Sequence, residues 1–324
     1  MDTNRTQNKI PVIAVVGPTA SGKTALAVSL AKALDGEVIS ADSMQIYRGM
    51  DIATAKPTPE EMAGVRHHLL DFVDPTETYS VKQFCVDAGR AAKDIASRGK
   101  TVIVAGGTGL YVDALLGGLR FEEEPDHGEL RQTLLSRLET EGREPLIREL
   151  LLADPDLEGK IDLHNERRLL RALEVYFLTG EKPSVRRSRA KTGESDYDPF
   201  YLGLFFHDRQ ALYDRISLRV DRMLKNGLLE EARAFYRNPS SETSVCAIGY
   251  KELKPFLDDE MTLEQAVQNL KTATRHYAKR QLTWFGRNPE LVRLYVDEPD
   301  ARSLEERAFA EAEQFLLQRR RTNA

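Results

Sequence analysis

Cys85 and Cys246 are the only cysteines in this 324-residue chain, and they form neither a CxxC pair nor a disulfide framework. That excludes a small cross-linked scaffold and suits a reducing compartment, so a cytoplasmic protein is expected. No stretch approaches 18 apolar residues, and Met1-Asp2-Thr3-Asn4-Arg5-Thr6 lacks an apolar signal core. No membrane partner is therefore expected. A strong charge of one sign is missing too: 46 Lys and Arg against 51 Asp and Glu leave a formal net charge of −5. Such a total gives no general attraction to a polyanion, so any such contact must come from local patches. There is no internal repeat and no low-complexity segment. The length allows one large domain or two modest ones, each with a real core.

Basic residues do cluster locally. Between Lys160 and Lys191 stand Arg167, Arg168, Arg171, Lys182, Arg186, Arg187 and Arg189, against few acids. From Lys271 to Pro289 come Arg275, Lys279, Arg280 and Arg287, with no Asp or Glu. Acidic charge sits elsewhere, as in Glu122-Glu123-Glu124. Patches of this kind read equally as solvated faces or as RNA contacts.

The strongest positive feature is Gly17-Pro18-Thr19-Ala20-Ser21-Gly22-Lys23-Thr24, which fits G-x-x-x-x-G-K-[ST] at every defined position. A β-branched apolar run, Ile10 to Val16, precedes it and reads as a buried parallel strand; a helix opening, Ala25 to Ala31, follows. Strand, loop and helix N-terminus make a phosphate cradle, with Lys23 as a point charge and the Thr24 hydroxyl as a Mg²⁺ ligand. A diphosphate or triphosphate compound is expected here. A phosphoryl-transfer enzyme usually adds a second strand ending in Asp. The best candidate, Thr101 to Ala105, runs instead into Gly106-Gly107-Thr108-Gly109-Leu110-Tyr111. The glycines let backbone approach a ligand, and Thr108 offers a hydroxyl beside the loop.

A short strand ends at Ser40, which puts Asp42 at the carboxyl edge of a parallel sheet beside the phosphate loop. Asp42 could reach Mg²⁺ through water, accept a proton from a nucleophile, or merely cap a helix. Gln45 could read a base edge, and Tyr47 could stack or pack. His67 and His68 are adjacent on a strand and point to opposite faces, so a structural or phosphate-side role is expected rather than shared metal. Arg215 and Arg219 lie four apart on one helical face, suited to clamping a diphosphate or to pairing with surface acids. Trp284 and Phe285 are read as core anchors, and Gly249-Tyr250-Lys251 as a turn.

Taken in order, GPTASGKT, DSMQIY, ATAKP, HHLLD, GGTGLY, RRLLRALEV, AIGYKEL and TRHYAKRQLTWF resemble the tRNA dimethylallyltransferase family, in its bacterial form without a zinc-finger extension. Two positions depart mildly from the family pattern: Ala53 stands where Gly is common, and Asn165-Glu166 where Asn-Asp is common. The resemblance implies transfer of a dimethylallyl group from dimethylallyl diphosphate to the exocyclic N6 amine of the adenosine 3′ to the anticodon. It implies Mg²⁺ held by Thr24 and Asp42, donor binding by Gly17 through Thr24, and catalytic roles for Asp42, Thr108 and Arg219. tRNA contact is implied for Asp42, Ser43, Met44, Gln45, Thr108, Arg131, Arg167, Arg168 and Arg171. A monomer is expected.

The α/β rhythm stops at Leu116, and apolar spacing from residue 129 to 180 is helical. The expected architecture is a P-loop NTPase-like α/β core with a parallel sheet, residues 1–117 and 200–324, interrupted by a helical tRNA-binding insertion, 118–199. A hinge is expected over 117–128, a turn over 196–199, a long helix over 263–284 and a last strand over 291–296. Three other readings stay open: an adenylate isopentenyltransferase acting on free AMP, ADP or ATP; a small-molecule P-loop kinase; and a nucleotide-gated RNA-binding module.

Overall fold

Val12, Ala14 and Val16 pack into the core on one side of their strand, Ile13 and Val15 into the core on the other, and all five are fully buried. A strand buried on both faces belongs at the centre of a parallel sheet covered by helices. The computed structural model describes residues 9–121, 128–190, 194–300 and 302–322. Its strands are β1 (Ile10–Val16), β2 (Gly36–Ser40), β3 (His67–His68), β4 (Thr101–Gly106), β5 (Tyr197–Phe205) and β6 (Val292–Tyr295). They form one sheet in the order β3-β2-β4-β1-β5-β6, and every pairing is parallel. The fold is α/β with a P-loop core.

The helices are α1 (Lys23–Ala33), α2 (Pro59–Met62), α3 (Val81–Ser97), α4 (Gly109–Leu116), α5 (Gly128–Glu141), α6 (Arg143–Ala153), α7 (Glu166–Thr179), α8 (Pro183–Ala190), α9 (Arg209–Lys225), α10 (Leu228–Tyr236), α11 (Tyr250–Leu257), α12 (Leu263–Phe285) and α13 (Leu304–Thr322). Phe84, Ala88 and Ile95 of α3, with apolar residues of α4, α10, α11 and α12, cover one sheet face. Leu26 and Leu30 of α1 and Ala308 and Ala312 of α13 cover the other. Local chemistry sets the helix starts: Ser80 with Gln83 and Thr262 with Gln265 form capping boxes, and Asp208 caps α9.

Two compact units emerge. One holds the chain up to Leu116 and from Ser195 onward; the other is Gly117–Glu194. The sequence-based boundary of 199 was too late, because β5 starts at Tyr197 and absorbs most of the turn expected over 196–199. Pro199 pairs opposite Val12, while β6 comes alongside only at Leu202, so its missing N–H falls on an unpaired edge. Gly249 lies in a turn and N-caps α11, whereas Tyr250 and Lys251 already belong to the helix. The run 122–124, residues 1–6, Lys191 and residues 122–127 of the expected hinge lie outside the described residues.

Within the second unit, Leu134, Leu146, Leu150, Leu169, Leu170 and Leu173 make the core. Near the end of α7, Phe177 departs from this apolar face and is exposed. Asn165 caps α7 by accepting from the Arg168 N–H (3.2 Å), and Glu166 pairs with Arg143 (3.0 Å). The departure at Asn165-Glu166 therefore leaves a sound helix start, with an acid in its first turn.

One buried carboxylate fastens the sheet edge. Glu37 on β2 accepts from the Arg98 guanidinium through both oxygens (2.5 and 2.7 Å) and bonds to His68 Nε2 (2.8 Å). These partners, Arg98 foremost, hold its pKa down to about 2 from an ordinary 4.5. The unfolded chain thus binds this proton more readily, so the stabilisation is complete above about pH 4.5 and lost as pH falls toward 2. Glu37→Gln should cost about 2–3 kcal/mol at neutral pH and flatten the acid limb of stability, measured by urea unfolding from about pH 7 to pH 3. Equal acid sensitivity in both proteins would contradict this.

Candidate active site

The phosphate loop follows β1 directly. Helix α1 opens on Gly22, at φ 97°, with no side-chain cap, so its first N–H groups are left for an anion. Pro18 carbonyl accepts from Lys23 Nζ (2.6 Å) and Ser21 Oγ (2.8 Å), folding the loop over its own lysine. Ala20 sits in the left-handed region at φ 62°, a strain of about 1–3 kcal/mol. Its carbonyl accepts from Arg215 Nε (2.8 Å). Of the two arginines on that face of α9, Arg215 therefore braces the loop, while Arg219 lines the cavity beside it.

The second wall is built where β2 and β4 end. Ala41 N–H donates to the Ala105 carbonyl (2.8 Å), and Thr108 N–H to the Ala41 carbonyl (3.2 Å). A Cβ on Gly106 would stand 2.1 Å from that Ala41 oxygen, so only glycine lets the two loops touch. Thr108 Oγ1 accepts from Ser43 N–H (3.1 Å), pinning the residue after Asp42. Asp42 Oδ1 accepts from Met44 N–H (2.9 Å), a turn interaction with no helix behind it. The capping alternative thus holds only as a local turn.

A cavity of about 270 Å³ opens among these segments. Thr19, Lys23, Thr24, Asp42, Arg219 and Arg280 line it with polar groups, while Val220, Met223, Ala247, Ile248 and Leu270 add apolar surface. Burial pushes the Lys23 ammonium down to about 7, with the Arg219 charge second and Asp42 opposing. Burial also lowers Arg219, against the pull of Asp42. Burial raises the Tyr277 phenol, which faces Asp42, Thr108 and Gln281. Two desolvated basic groups repel each other here, with Asp42 opposing on both and Glu61 on Arg219, and a bound anion would hold both in their charged forms.

Not every expected contact is available in the way the sequence suggests. The Gln45 amide is already used: Oε1 accepts from Ser40 Oγ (3.2 Å), and Nε2 donates to the carbonyls of Thr54 and Ala55 (3.2 and 3.1 Å). Ser43 and Met44 line the cavity. In the second unit, Arg131 pairs with buried Glu174 (2.6 Å), which Arg171 also approaches (3.6 Å). Arg167 and Arg168 stand in the first turn of α7. Phe285 is a core anchor, but Trp284 is 39% exposed and donates Nε1–H to Asp113 (2.9 Å). His67 and His68 bond to Val65 carbonyl and Glu37, and no cluster of three potential metal ligands occurs among the described residues.

Gln281 and Glu231 are among the site residues that the sequence does not reveal. Gln281 of α12 accepts from the phosphate-loop Thr19 N–H (2.8 Å) and donates to Gly107 carbonyl (2.9 Å). Glu231 of α10 accepts from three consecutive backbone N–H groups, Asp51, Ile52 and Ala53 (2.9, 2.7 and 2.8 Å), and from the Tyr250 hydroxyl (2.9 Å). It fixes the segment leading to the cavity wall at Ala53, Thr54 and Ala55, and the Ala53 methyl packs near Gly249. Both contacts join residues more than 170 positions apart, which no local spacing reveals.

Comparison with known proteins bears on this geometry. Residues 45–288 match the model of the IPP transferase family. A tRNA dimethylallyltransferase of Shouchella clausii is 45% identical over 293 residues, covering 90% of this chain and 94% of that protein. The chain belongs to the tRNA dimethylallyltransferase family. Similar solved structures are the full-length tRNA isopentenylpyrophosphate transferase of Bacillus halodurans (TM-score 0.71, 40% identity, 97% of this chain and 98% of that one) and a eukaryotic dimethylallyltransferase acting on tRNA (TM-score 0.79, 32% identity, 95% and 80%). Family membership makes the chain a prenyltransferase, and the cavity at the phosphate loop is its candidate active site.

The depressed Lys23 pKa gives a pH test. Free Lys23 loses its proton as pH rises through about 7, whereas bound diphosphate would hold it. Binding then takes up a proton, so donor affinity should fall between pH 7 and about 9, by up to about tenfold per unit. Titration calorimetry in buffers of different ionisation enthalpy measures both quantities. Lys23→Ala should bind more weakly at pH 7 and lose the slope; constant affinity in the parent would contradict the role.

Proposed function

We propose that this chain moves the dimethylallyl group of dimethylallyl diphosphate onto the exocyclic N6 amine of the adenosine 3′ to a tRNA anticodon, releasing diphosphate, as a cytoplasmic monomer. The observation that carries this reading is the cavity itself, in which Lys23 and Arg219 stand near Asp42 with apolar surface alongside. As the allylic C–O bond stretches, negative charge moves onto the departing diphosphate. Cationic contacts there strengthen in the transition state, which is where binding energy raises the rate.

The adenine amine attacks the allylic carbon, and Asp42 accepts the proton it releases. Thr108 holds the loop that presents Asp42, through Ser43 N–H. The base must leave its stack to reach a site enclosed in this way. Mg²⁺ suits the cavity: the Thr24 hydroxyl and Asp42 both line it, and magnesium bound with substrate phosphates needs only one or two protein oxygens. When bound, the ion would neutralise diphosphate charge. In the second unit, Arg167, Arg168 and Arg171 would meet tRNA phosphates, with Glu174 holding Arg131 and Arg171 in place.

Incubation with Mg²⁺ and labelled dimethylallyl diphosphate, separately with bulk tRNA, AMP and ATP, tests the assignment. Label should enter tRNA and not the free nucleotides; equal transfer to AMP would overturn the tRNA reading. Replacing Arg167, Arg168 and Arg171 with Ala should weaken tRNA binding and flatten its salt dependence, by about 0.7–0.9 in the log–log slope per lost phosphate contact. An unchanged slope would mean these arginines face solvent only.

A further inference from the structure

Gln281 is 5% exposed, and each end of its carboxamide is spent on a different loop of the site. Oε1 takes the Thr19 N–H of the phosphate loop (2.8 Å), 262 positions away, and Nε2 gives its hydrogen to Gly107 carbonyl (2.9 Å), 174 positions away. The fit leaves no slack. A Cβ on Gly107 would stand 2.0 Å from Nε2, so any side chain there would displace the amide that lies against it. The residue after Gly107 is Thr108, whose hydroxyl receives the Ser43 N–H beside Asp42. A continuous path therefore runs from the diphosphate cradle through Thr19, Gln281, Gly107, Thr108 and Ser43 to the proton acceptor.

We propose that Gln281 is a positioning residue that sets the spacing between the two halves of the site, the phosphate loop on one side and the Thr108–Asp42 wall on the other. The proposal rests on the alkyl-transfer reading above. A carboxamide suits this role because it is planar and neutral, and offers an acceptor and a donor at fixed separation. Because it consumes the Thr19 N–H, that donor serves the loop's shape while the other cradle groups serve the anion. In a displacement reaction, the amine must meet the allylic carbon in line with the leaving diphosphate. An error of about 1 Å in such alignment can cost about 10²-fold in rate while leaving each substrate bound.

Two variants separate this role from simple stabilisation. Gln281→Met keeps length and volume but makes neither hydrogen bond; Gly107→Ala keeps the amide but pushes it aside. Donor affinity, tRNA affinity and the single-turnover rate at saturating substrates are measured for each, with thermal melts to confirm folding. Both variants should lose about 10- to 100-fold in rate with both affinities within about threefold of the parent. Should Gln281→Met not fold, Gly107→Ala gives the same reading by itself. A folded variant whose rate stays within about threefold would overturn the proposal, and so would donor or tRNA affinity falling as far as the rate. Failure of the parent itself to prenylate tRNA would instead sink the functional reading.

Discussion

The arrangement everything else serves is a desolvated ammonium and guanidinium, Lys23 and Arg219, each in the field of the Asp42 carboxylate. In a buried setting, like charges depress each other's protonation, and water cannot relieve them. Such a pair is a poor structural device but a good receptor for a dianion or trianion. It also becomes more favourable as negative charge builds on a leaving diphosphate. The same electrostatics that disfavours the empty site thus favours the transition state.

The fold supplies this pair by bringing strand ends together. β1 delivers the glycine loop, β2 delivers Asp42 and β4 delivers Thr108, and the parallel sheet places these three carboxyl ends side by side. Helices from the far end of the sequence then close the cavity: α9 brings Arg219, and α12 brings Tyr277, Arg280 and Gln281. Long-range polar contacts set the geometry. Glu231 gathers three backbone N–H groups of the 51–53 segment, as an anion would in a backbone nest, and so carries the wall at Ala53 to Ala55. Gln281 does for the two loops what Glu231 does for that wall.

The central strands, the phosphate loop, the long basic helix and the helical insertion were legible because each has a local signature: β-branched runs, glycine spacing, basic clustering and apolar periodicity. Asp42 and Thr108 were legible because they follow strand ends. The start of β5 was not, since Pro199 signals a turn unless one knows that β6 comes alongside only from Leu202. Helix α13, which covers one sheet face through Ala308 and Ala312, is rich in charged residues and gave little sign of burial. The roles of Gln281, Glu231 and Glu174 were hidden for a deeper reason. A polar residue on a helix reads as solvated until a partner from a distant segment is known.

The mechanism stands or falls on Asp42 as the proton acceptor. Its Oδ1 also accepts the Met44 N–H (2.9 Å), a structural duty that an amide oxygen performs equally well. Asp42→Asn therefore keeps the turn and removes the carboxylate that could accept the proton. Single-turnover prenylation at saturating donor and tRNA is the direct measurement. A folded, tRNA-binding variant slowed by about 10²–10⁴-fold is the expected result. A rate within a few-fold of the parent would contradict the mechanism.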